Sequence, residues 1–233
     1  MNAYVFAAPP TPSVAVAGTA QRFPVHRIYC VGRNYADHVR EMGNDPRSEP
    51  PVFFSKPADA VQPNGSAVPY PPATSNLHHE IELVVALHSG GRAIAPERAL
   101  GHVFGYGVGN DLTRRDLQHV ARERGQPWDT AKGFDGSAPL AALRPAGAGH
   151  IARGRIWLKV NDVLRQQADL ESMLWDVPHI IAALSQLYCL RAGDLIFTGT
   201  PAGVGPLMVG DRIEGGIEGL EVLQHTIAAP AAD

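Results

Sequence analysis

Two stretches organise this sequence: HHEIELVV at residues 78–85 and GYGVGND at residues 105–111. The first leads into an apolar run and is typical of a strand, so Glu80 and Glu82, two residues apart, project from one face. In the second, every other residue before Asp111 is glycine. Read as a strand, its acid-bearing face has no other side chain, and we expect that something else fills the space above it.

These three carboxylates predict a metal site. Two acids on one strand repel each other by ~4 kcal/mol at ~4 Å and an effective dielectric of ~20, and a third acid nearby would add to that cost. A divalent cation would offset it. Because the ligands are all oxygen atoms and no cysteine is nearby in sequence, Mg²⁺ or Mn²⁺ is favoured over zinc or copper. The alternative is a solvated strand face with unrelated acids, which is the better interpretation of an isolated E-x-E.

Length, charge and cysteine content exclude several classes. A chain of 233 residues buries roughly 70–75% of its unfolded surface in one large domain, which we place at residues 24–233 after an N-terminal appendage at residues 1–23. The 20 basic and 23 acidic residues give a net charge of −3, so neither nucleic acid nor an anionic membrane is an expected partner. Two cysteines, Cys30 and Cys189, favour a reducing cytoplasm.

Neither an export signal nor a membrane span is expected. Residues 1–23 lack a basic start and are interrupted by prolines at positions 9, 10 and 12. The longest apolar stretches, at residues 81–87 and 180–184, are far shorter than the ~20 residues of a membrane helix.

The 20 prolines and 24 glycines predict many short strands and few helices. Three helices are expected: Tyr35–Met42 capped by Asn34, a second that begins with a capping box at Thr113 and ends near Arg124, and a third at Pro178–Cys189. The expected strands are Ile28–Val31, Val52–Ser55, Glu80–Leu87, His102–Gly109, Arg155–Val160 and Leu195–Thr198.

His38 and Glu41 are three residues apart and share a face of the first predicted helix. A glutamate that binds one imidazole nitrogen raises the basicity of the other, so the pair is a candidate base for activating water. Such a base contributes a factor of about 10²–10⁴ to the rate. The alternative is an ordinary surface pair on an exposed helix.

Further side chains suit an acidic substrate. Arg115 and Gln118 are also three apart, one turn past Asp111, and a guanidinium facing the site could bind a carboxylate through its planar fork of donors. Lys132 is an isolated lysine in a turn of small and aromatic residues, where the alternative is a solvated surface group. We interpret His78 as a hydrogen-bonding neighbour of the metal site rather than a ligand.

A glycine-rich loop, TGTPAGVGP at residues 198–206, follows an apolar strand. It lacks the terminal Lys-Ser/Thr of a nucleotide-binding loop, and no helical pattern follows it. We therefore expect the loop to bring its backbone close to a small ligand.

Taken together, the motifs resemble the fumarylacetoacetate hydrolase family. They occur in the family order across about residues 24–227 and are highly specific as a set. The motifs are YCVGRNYADH at 29–38, LHHEIEL at 77–83, DLTRRDLQ at 111–118, AK at 131–132 and TGTP at 198–201.

This resemblance implies an α+β, mostly-β fold with a rolled mixed sheet and peripheral helices, and a homodimer. It also implies Mg²⁺ or Mn²⁺ held by Glu80, Glu82 and Asp111, and a lid helix that carries His38 and Glu41. The substrate site would be lined by Arg115, Gln118, Lys132 and Thr200.

Two segments, PVFFSKPADA at 51–60 and PWDTAKGFD at 127–135, are most similar to the bacterial fumarylpyruvate hydrolases within the family. The resemblance thus implies hydrolytic cleavage of a C–C bond in a 2,4-diketo acid, giving fumarate and pyruvate. Acylpyruvate hydrolysis, oxaloacetate decarboxylation and isomerisation are alternatives within the family. A metal-dependent binder of pyruvate-like acids without turnover is the alternative of a different class.

Overall fold

The computed structural model of the chain describes residues 4–41 and 51–231, except for the side chains of residues 39–41. Short strands dominate this part of the chain. The strands are β1 Ser13–Ala15, β2 Arg22–Pro24, β3 Arg27–Gly32, β4 Val52–Lys56, β5 Val61–Pro63, β6 Ala67–Pro69, β7 Leu77–His79, β8 Ile81–Leu87, β9 Val103–Asn110, β10 Thr113–Arg114, β11 Ala138–Leu140, β12 Arg144–Pro145, β13 Arg155–Val160, β14 Val163–Asp169, β15 Asp194–Phe197, β16 Gly205–Leu207, β17 Arg212–Ile217 and β18 Leu223–Ala228.

Helices are short and lie between these strands. The α-helices are α1 Ala36–Glu41, α2 Pro96–Ala99, α3 Arg115–Glu123, α4 Asp129–Lys132 and α5 Val177–Leu187. Single turns of 3₁₀-helix lie at Ala58–Ala60, Leu100–His102, Ala146–Ala148 and Leu170–Ser172. Within the described residues, no helix is both long and apolar enough to cross a membrane.

The largest sheet has eight strands in the order β4-β3-β15-β8-β9-β11-β5, with β12 beside β9. It is mixed, because β15 runs parallel to β3 and β11 parallel to β5 while the other pairs are antiparallel. A five-stranded sheet, β14-β13-β17-β18-β6, and a three-stranded sheet, β10-β7-β16, complete the main body. The predicted α+β, mostly-β fold with a rolled mixed sheet and peripheral helices is confirmed.

Strand β8 is the centre of the core, and all seven of its residues are buried. Its odd-numbered residues, 81 to 87, pack in one hydrophobic cluster with β13 and α5, whereas Val84 and Ala86 pack in a second cluster with Phe197. Because both faces are covered, the strand has a nearly continuous apolar sequence rather than an alternating one. Glu82 and Val84 have the same parity, so Glu82 lies on the face of the second cluster.

The glycines of β9 are packed against apolar side chains, and the expected space above them is filled by the protein itself. A Cβ atom at Gly109 would lie 2.6 Å from Phe197 and Val84, and one at Gly107 would lie 3.1 Å from Leu143. Glycine is required here because β9 and the second cluster approach each other closely. The predicted occupant of that space is therefore a set of apolar side chains of the protein itself.

The N-terminal hairpin of β1 and β2 packs against the main sheet. Val14, Val16 and Phe23 are buried in the same cluster as Phe197. The predicted boundary between an appendage at residues 1–23 and a domain at 24–233 stays a prediction.

All six predicted strands are present with ends within one residue of those expected, and the three predicted helices correspond to α1, α3 and α5. Met42, at the end of the first predicted helix, lies outside the described residues. The side chain of Asn34 bonds to Trp175 and Thr198, and its role as the cap of α1 stays a prediction. The predicted cap at Thr113 is wrong, because Thr113 belongs to β10 and α3 begins after Arg114 with no side-chain cap.

Candidate active site

Three buried carboxylates meet where β8 and β9 end. Glu80 lies between β7 and β8, Glu82 is the second residue of β8 and pairs with Gly109, and Asp111 directly follows β9. The amide of Asp111 donates to the carbonyl oxygen of Glu80, with N and O 2.8 Å apart, which holds the two strand ends together. One oxygen from each carboxylate lies within 4.8 Å of the other two.

The geometry and chemistry of this triad fit a hard divalent cation. Ligand oxygens at 2.0–2.1 Å from an octahedral ion are about 3 Å apart when adjacent and about 4 Å apart when opposite, so the three oxygens would have to move closer together to contact one ion. Burial, reinforced by the charges of Asp111 and Glu80, raises the pKa of Glu82 well above its usual range. A cation at this point would favour the ionised form of Glu82.

Two lysines and an arginine surround the triad. The Lys132 ammonium lies 2.7 Å from both Glu80 Oε2 and Asp111 Oδ2, and Lys56 Nζ lies 2.7 Å from Asp111 Oδ1. Arg115 forms an ion pair with Glu80 through Nη2. The protein's own cations therefore already offset part of the repulsion that the sequence predicts among the acids.

Among the described residues, no lysine or arginine forms an ion pair with Glu82. Its Oε2 accepts a hydrogen bond from the Gly199 amide, with the two atoms 2.7 Å apart. Glu80 is the opposite case. Burial works to raise its pKa, but the charges of Lys132 and Arg115 outweigh burial and hold the pKa below its usual value. The triad thus contains two carboxylates, Glu80 and Asp111, that are paired with protein cations, and one, Glu82, that is not.

Lys132 is buried at the end of α4, not solvated as the alternative interpretation has it. Its ammonium also donates to Thr113 Oγ1 at 2.7 Å, so all three of its N–H groups have side-chain partners. Burial lowers the pKa of this lysine, but Asp111 and Glu80 outweigh burial and raise the pKa above its usual value. The ammonium is therefore a permanently charged group beside the triad.

Arg115 and Gln118 share a face of α3 as predicted. Arg115 Nη1 donates to Gln118 Oε1 at 2.5 Å, and Arg115 Nε donates to His78 Nδ1 at 3.3 Å. Burial and the positive charge of Arg115 lower the pKa of His78 to about 4. His78 is thus a neutral acceptor that orients Arg115, which agrees with its interpretation as a neighbour rather than a ligand.

His38 is buried on α1 and lines the same cleft. His38 is close enough to Glu80 that a positive charge on the imidazole favours the ionised carboxylate of Glu80. The side chain of Glu41 lies outside the description, so the His38–Glu41 pair stays a prediction, as does the lid role of residues 35–42.

The glycine-rich loop approaches the protein itself. A Cβ atom at Gly199, whose φ is +96°, would lie 2.7 Å from Asn34 Cβ, and one at Gly203 would lie 2.2 Å from the Arg165 carbonyl oxygen. The glycines therefore let the loop pack closely against the chain and place the Gly199 amide on Glu82, while the expected approach of the loop to a small ligand stays a prediction. Thr200 lines the cleft, and its hydroxyl donates to the Ile81 carbonyl oxygen at 2.9 Å.

All the predicted site residues with described side chains line one cleft or contact its lining. The cleft encloses about 430 Å³ between its atoms, part of it open to solvent. Arg33, Arg122 and Trp128 also line the neighbouring surface groove, so they mark the mouth of the cleft. Its lining is Val31, Gly32, Arg33, His38, Phe54, Glu80, Glu82, Arg115, Gln118, Arg122, Trp128, Lys132 and Thr200.

Sequence reasoning missed Lys56, Arg122 and Gln166. Lys56 and Gln166 are buried beside the triad, and Arg122 stands at the mouth. A signal existed for Arg122, because it lies four residues after Gln118 on the same face of α3.

The chain is similar to proteins of known activity. The sequence profile of the family described as fumarylacetoacetate (FAA) hydrolase C-terminal matches residues 27–228. The mitochondrial oxaloacetate tautomerase FAHD1 of Bos taurus is 44% identical over 204 residues, which are 87% of this chain and 92% of that protein. A fumarylpyruvate hydrolase of Ralstonia sp is 40% identical over 183 residues, 78% of this chain and 95% of that protein.

A solved structure has nearly the same fold along the whole chain. The fumarylpyruvate hydrolase of Pseudomonas aeruginosa, in complex with Mn²⁺ and pyruvate, superposes with a TM-score of 0.96 at 48% identity. The match covers 97% of this chain and 100% of that one.

Proposed function

Because the chain belongs to the fumarylacetoacetate hydrolase family, we propose that it hydrolyses a C–C bond of a 2,4-diketo acid, with fumarylpyruvate as substrate. The products are fumarate and pyruvate. One observation carries this proposal: a single cleft joins an oxygen-ligand triad to a set of cationic side chains that leads outward to its mouth.

The cofactor is Mg²⁺ or Mn²⁺, and Glu80, Glu82 and Asp111 would hold it. When bound, the ion acts as a Lewis acid toward the 2-keto and carboxylate oxygens of the substrate. The Mn²⁺ and pyruvate bound by the Pseudomonas aeruginosa protein support this pairing of cation and 2-oxo acid.

The chain's own residues then carry the reaction. Arg115 and Gln118 orient the substrate carboxylate, and Thr200 limits the cleft beside it. His38 removes a proton from the attacking water, assisted by Glu41, and the hydroxyl adds to the C4 carbonyl. The C3–C4 bond breaks, its electron pair stays on the pyruvate fragment as an enolate, and Lys132 stabilises that developing charge. The proton that His38 took from water is returned to C3, which completes pyruvate and regenerates the base.

Arginines at the mouth favour a substrate with a second carboxylate. Arg122 follows Arg115 by seven residues, about 10 Å along the helix axis at 1.5 Å per residue, and faces the cleft beside Arg33. The tilted ring pair of Phe54 and Trp128, with centroids 5.7 Å apart, forms an apolar wall between the two ends. Fumarylpyruvate has a flat conjugated middle and a distal carboxylate, whereas acetylpyruvate ends in a methyl group.

Steady-state rates with Mn²⁺ on fumarylpyruvate, acetylpyruvate and oxaloacetate test the proposal. We expect fumarylpyruvate to have the highest kcat/KM. Arg122→Gln should lower kcat/KM for fumarylpyruvate about 10- to 100-fold through KM, the range for a lost charge-assisted hydrogen bond, and leave acetylpyruvate nearly unchanged. Arg124→Gln, on an exposed residue outside the cleft, is the matched control. Faster turnover of acetylpyruvate than of fumarylpyruvate by the unmodified chain would contradict the proposed substrate.

Oxaloacetate is the second candidate substrate. The 44% identity to an oxaloacetate tautomerase favours it, and tautomerisation or decarboxylation needs the polarised 2-oxo acid but no attacking water. Enol-to-keto conversion of oxaloacetate, followed by ultraviolet absorbance, separates tautomerisation from hydrolysis. A homodimer and a cytoplasmic location stay predictions, and light scattering in solution tests the former.

A further inference from the structure

Strand β8 loses one of its neighbours just before the metal triad. Strand β15 pairs with it only from Ala86 to Val84, where Phe197 is the last partner. Ile81 lies beyond that point, between Glu80 and Glu82, and is fully buried. Because buried backbone groups need hydrogen-bond partners, its N–H and C=O groups must be satisfied by something other than β15.

Two side chains take the place of the missing strand. The Ile81 amide donates to Gln166 Oε1 at 3.1 Å, Gln166 Nε2 donates to Thr200 Oγ1 at 2.8 Å, and the Thr200 hydroxyl donates to the Ile81 carbonyl oxygen at 2.9 Å. These three hydrogen bonds form a closed ring that fastens both backbone groups of Ile81.

The orientation of the Gln166 amide is fixed by its backbone partners. The Ile81 amide can only donate, so it must meet the oxygen, and the Pro201 carbonyl, 2.8 Å from Nε2, can only accept. Gln166 Oε1 also accepts from His79 Nδ1 at 2.8 Å. One buried side chain therefore holds the residues on both sides of Glu80 and ties them to the loop that lines the cleft.

We infer that Gln166 is a positioning residue for the metal site. Successive side chains on a strand project to opposite faces, so the backbone of Ile81 sets the directions of both flanking carboxylates. The Gln166–Thr200 ring fixes that backbone and, through the same loop, the position of the Gly199 amide on Glu82. The inference rests on the metal site of the proposed function, but not on the identity of the substrate.

A direct test is calorimetric titration of Mn²⁺ into the chelator-treated full chain. Gln166→Met keeps the length of the side chain and removes its hydrogen bonds, and we expect the Kd for Mn²⁺ to rise about 10- to 100-fold, as for other supporting partners of metal ligands. The adjacent Gln167 is exposed, so Gln167→Met is the matched control and should keep the Kd of the unmodified chain. Glu82→Gln, which removes a ligand, should bind more weakly than either.

A second control tests whether a loss of stability alone would raise the Kd for Mn²⁺. Val160→Ala truncates a buried side chain in β13, away from the site, and should lower the melting temperature without changing the Kd. If Gln166→Met does not fold, Gln166→Asn retains the amide but shortens its reach by one methylene, and its Kd should also rise.

The outcomes separate this inference from the proposed reaction. An unchanged Kd in a folded Gln166 variant, or an equal rise in Val160→Ala, would overturn it. So would Glu82→Gln with the affinity of the unmodified chain, because the triad would then not be the site. If the Kd values follow the expected order while fumarylpyruvate is not cleaved, the positioning role stands and the proposed reaction fails.

Discussion

Replacing Lys56 by methionine should destabilise the chain strongly. Lys56 Nζ lies 2.7 Å from Asp111 Oδ1, and the two side chains are 0% and 1% exposed. The same ammonium donates to the Leu112 carbonyl oxygen at 3.2 Å and to that of Lys132. Methionine has a similar length and an apolar stem, so the substitution removes the charge and the donors while filling most of the volume.

The expected loss follows from the burial of this pair. Removing one partner of a buried ion pair costs about 3–5 kcal/mol, because the other charge stays buried without compensation. In the variant, Lys132 still forms an ion pair with the other carboxylate oxygen of Asp111. We therefore expect a loss of stability in the lower half of that range. Arg212 and Asp162 form a pair of the same 2.7 Å length whose side chains are 65% and 83% exposed. Its loss should cost about 0–1 kcal/mol.

Urea unfolding in excess chelator measures both variants without a contribution from metal binding. We expect Lys56→Met to lower the free energy of unfolding by about 3 kcal/mol or more at an unchanged m-value, and Arg212→Met to lower it by about 1 kcal/mol or less. Equal losses in the two variants would refute the argument that burial makes the Lys56–Asp111 pair essential.

Three further predictions concern turnover. Activity should require a divalent ion: chelation should abolish it, Mn²⁺ or Mg²⁺ should restore it, and Glu82→Gln should prevent that restoration. Full activity after elemental analysis shows the metal gone would contradict this. Lys132→Met should lower kcat more than it raises KM, because its charge matters most as the enolate forms; a change in KM alone would assign Lys132 to substrate binding. His38→Ala should slow fumarylpyruvate hydrolysis by about two to four decades and oxaloacetate conversion much less. Equal losses in both activities would exclude a water-activating role.

The sequence identified the residues of the site better than it identified their surroundings. Glu80 and Glu82 were predictable because alternation along an apolar strand is a local pattern, and the spacing of Arg115 and Gln118 is that of one helical face. The space above the β9 glycines was not predictable, since Phe197 and Leu143 reach it from segments distant in sequence. The alternation of residues along β9 shows which face of the strand lacks side chains, but not which residues cover that face.

Lys56 and Gln166 illustrate the limit of local patterns more sharply. Lys56 ends β4, and its burial depends on the pairing of that strand with β3 and on carbonyl groups near α3 and α4. Gln166 and Gln167 are neighbours on a mostly exposed strand, yet only Gln166 is buried. It contacts His79, 87 residues away, because β13 carries β14 against the main body. Neither the sequence around Lys56 nor the sequence around Gln166 contains a local signal for these long-range contacts.

The end of β8 explains why the fold can place three acids in its interior. Where β15 continues beside β8, the strand is apolar and its backbone is satisfied by the sheet. Past Phe197 the chain turns away. Thr198 and Thr200 then donate to β8 carbonyl oxygens, and Gln166 accepts from the Ile81 amide, in place of the lost strand. Side chains satisfy a backbone edge without occupying the full width of a strand, so room remains for Glu82 and the cations around the triad. The acids are therefore held by the sheet at the point where β8 loses β15 as a neighbour.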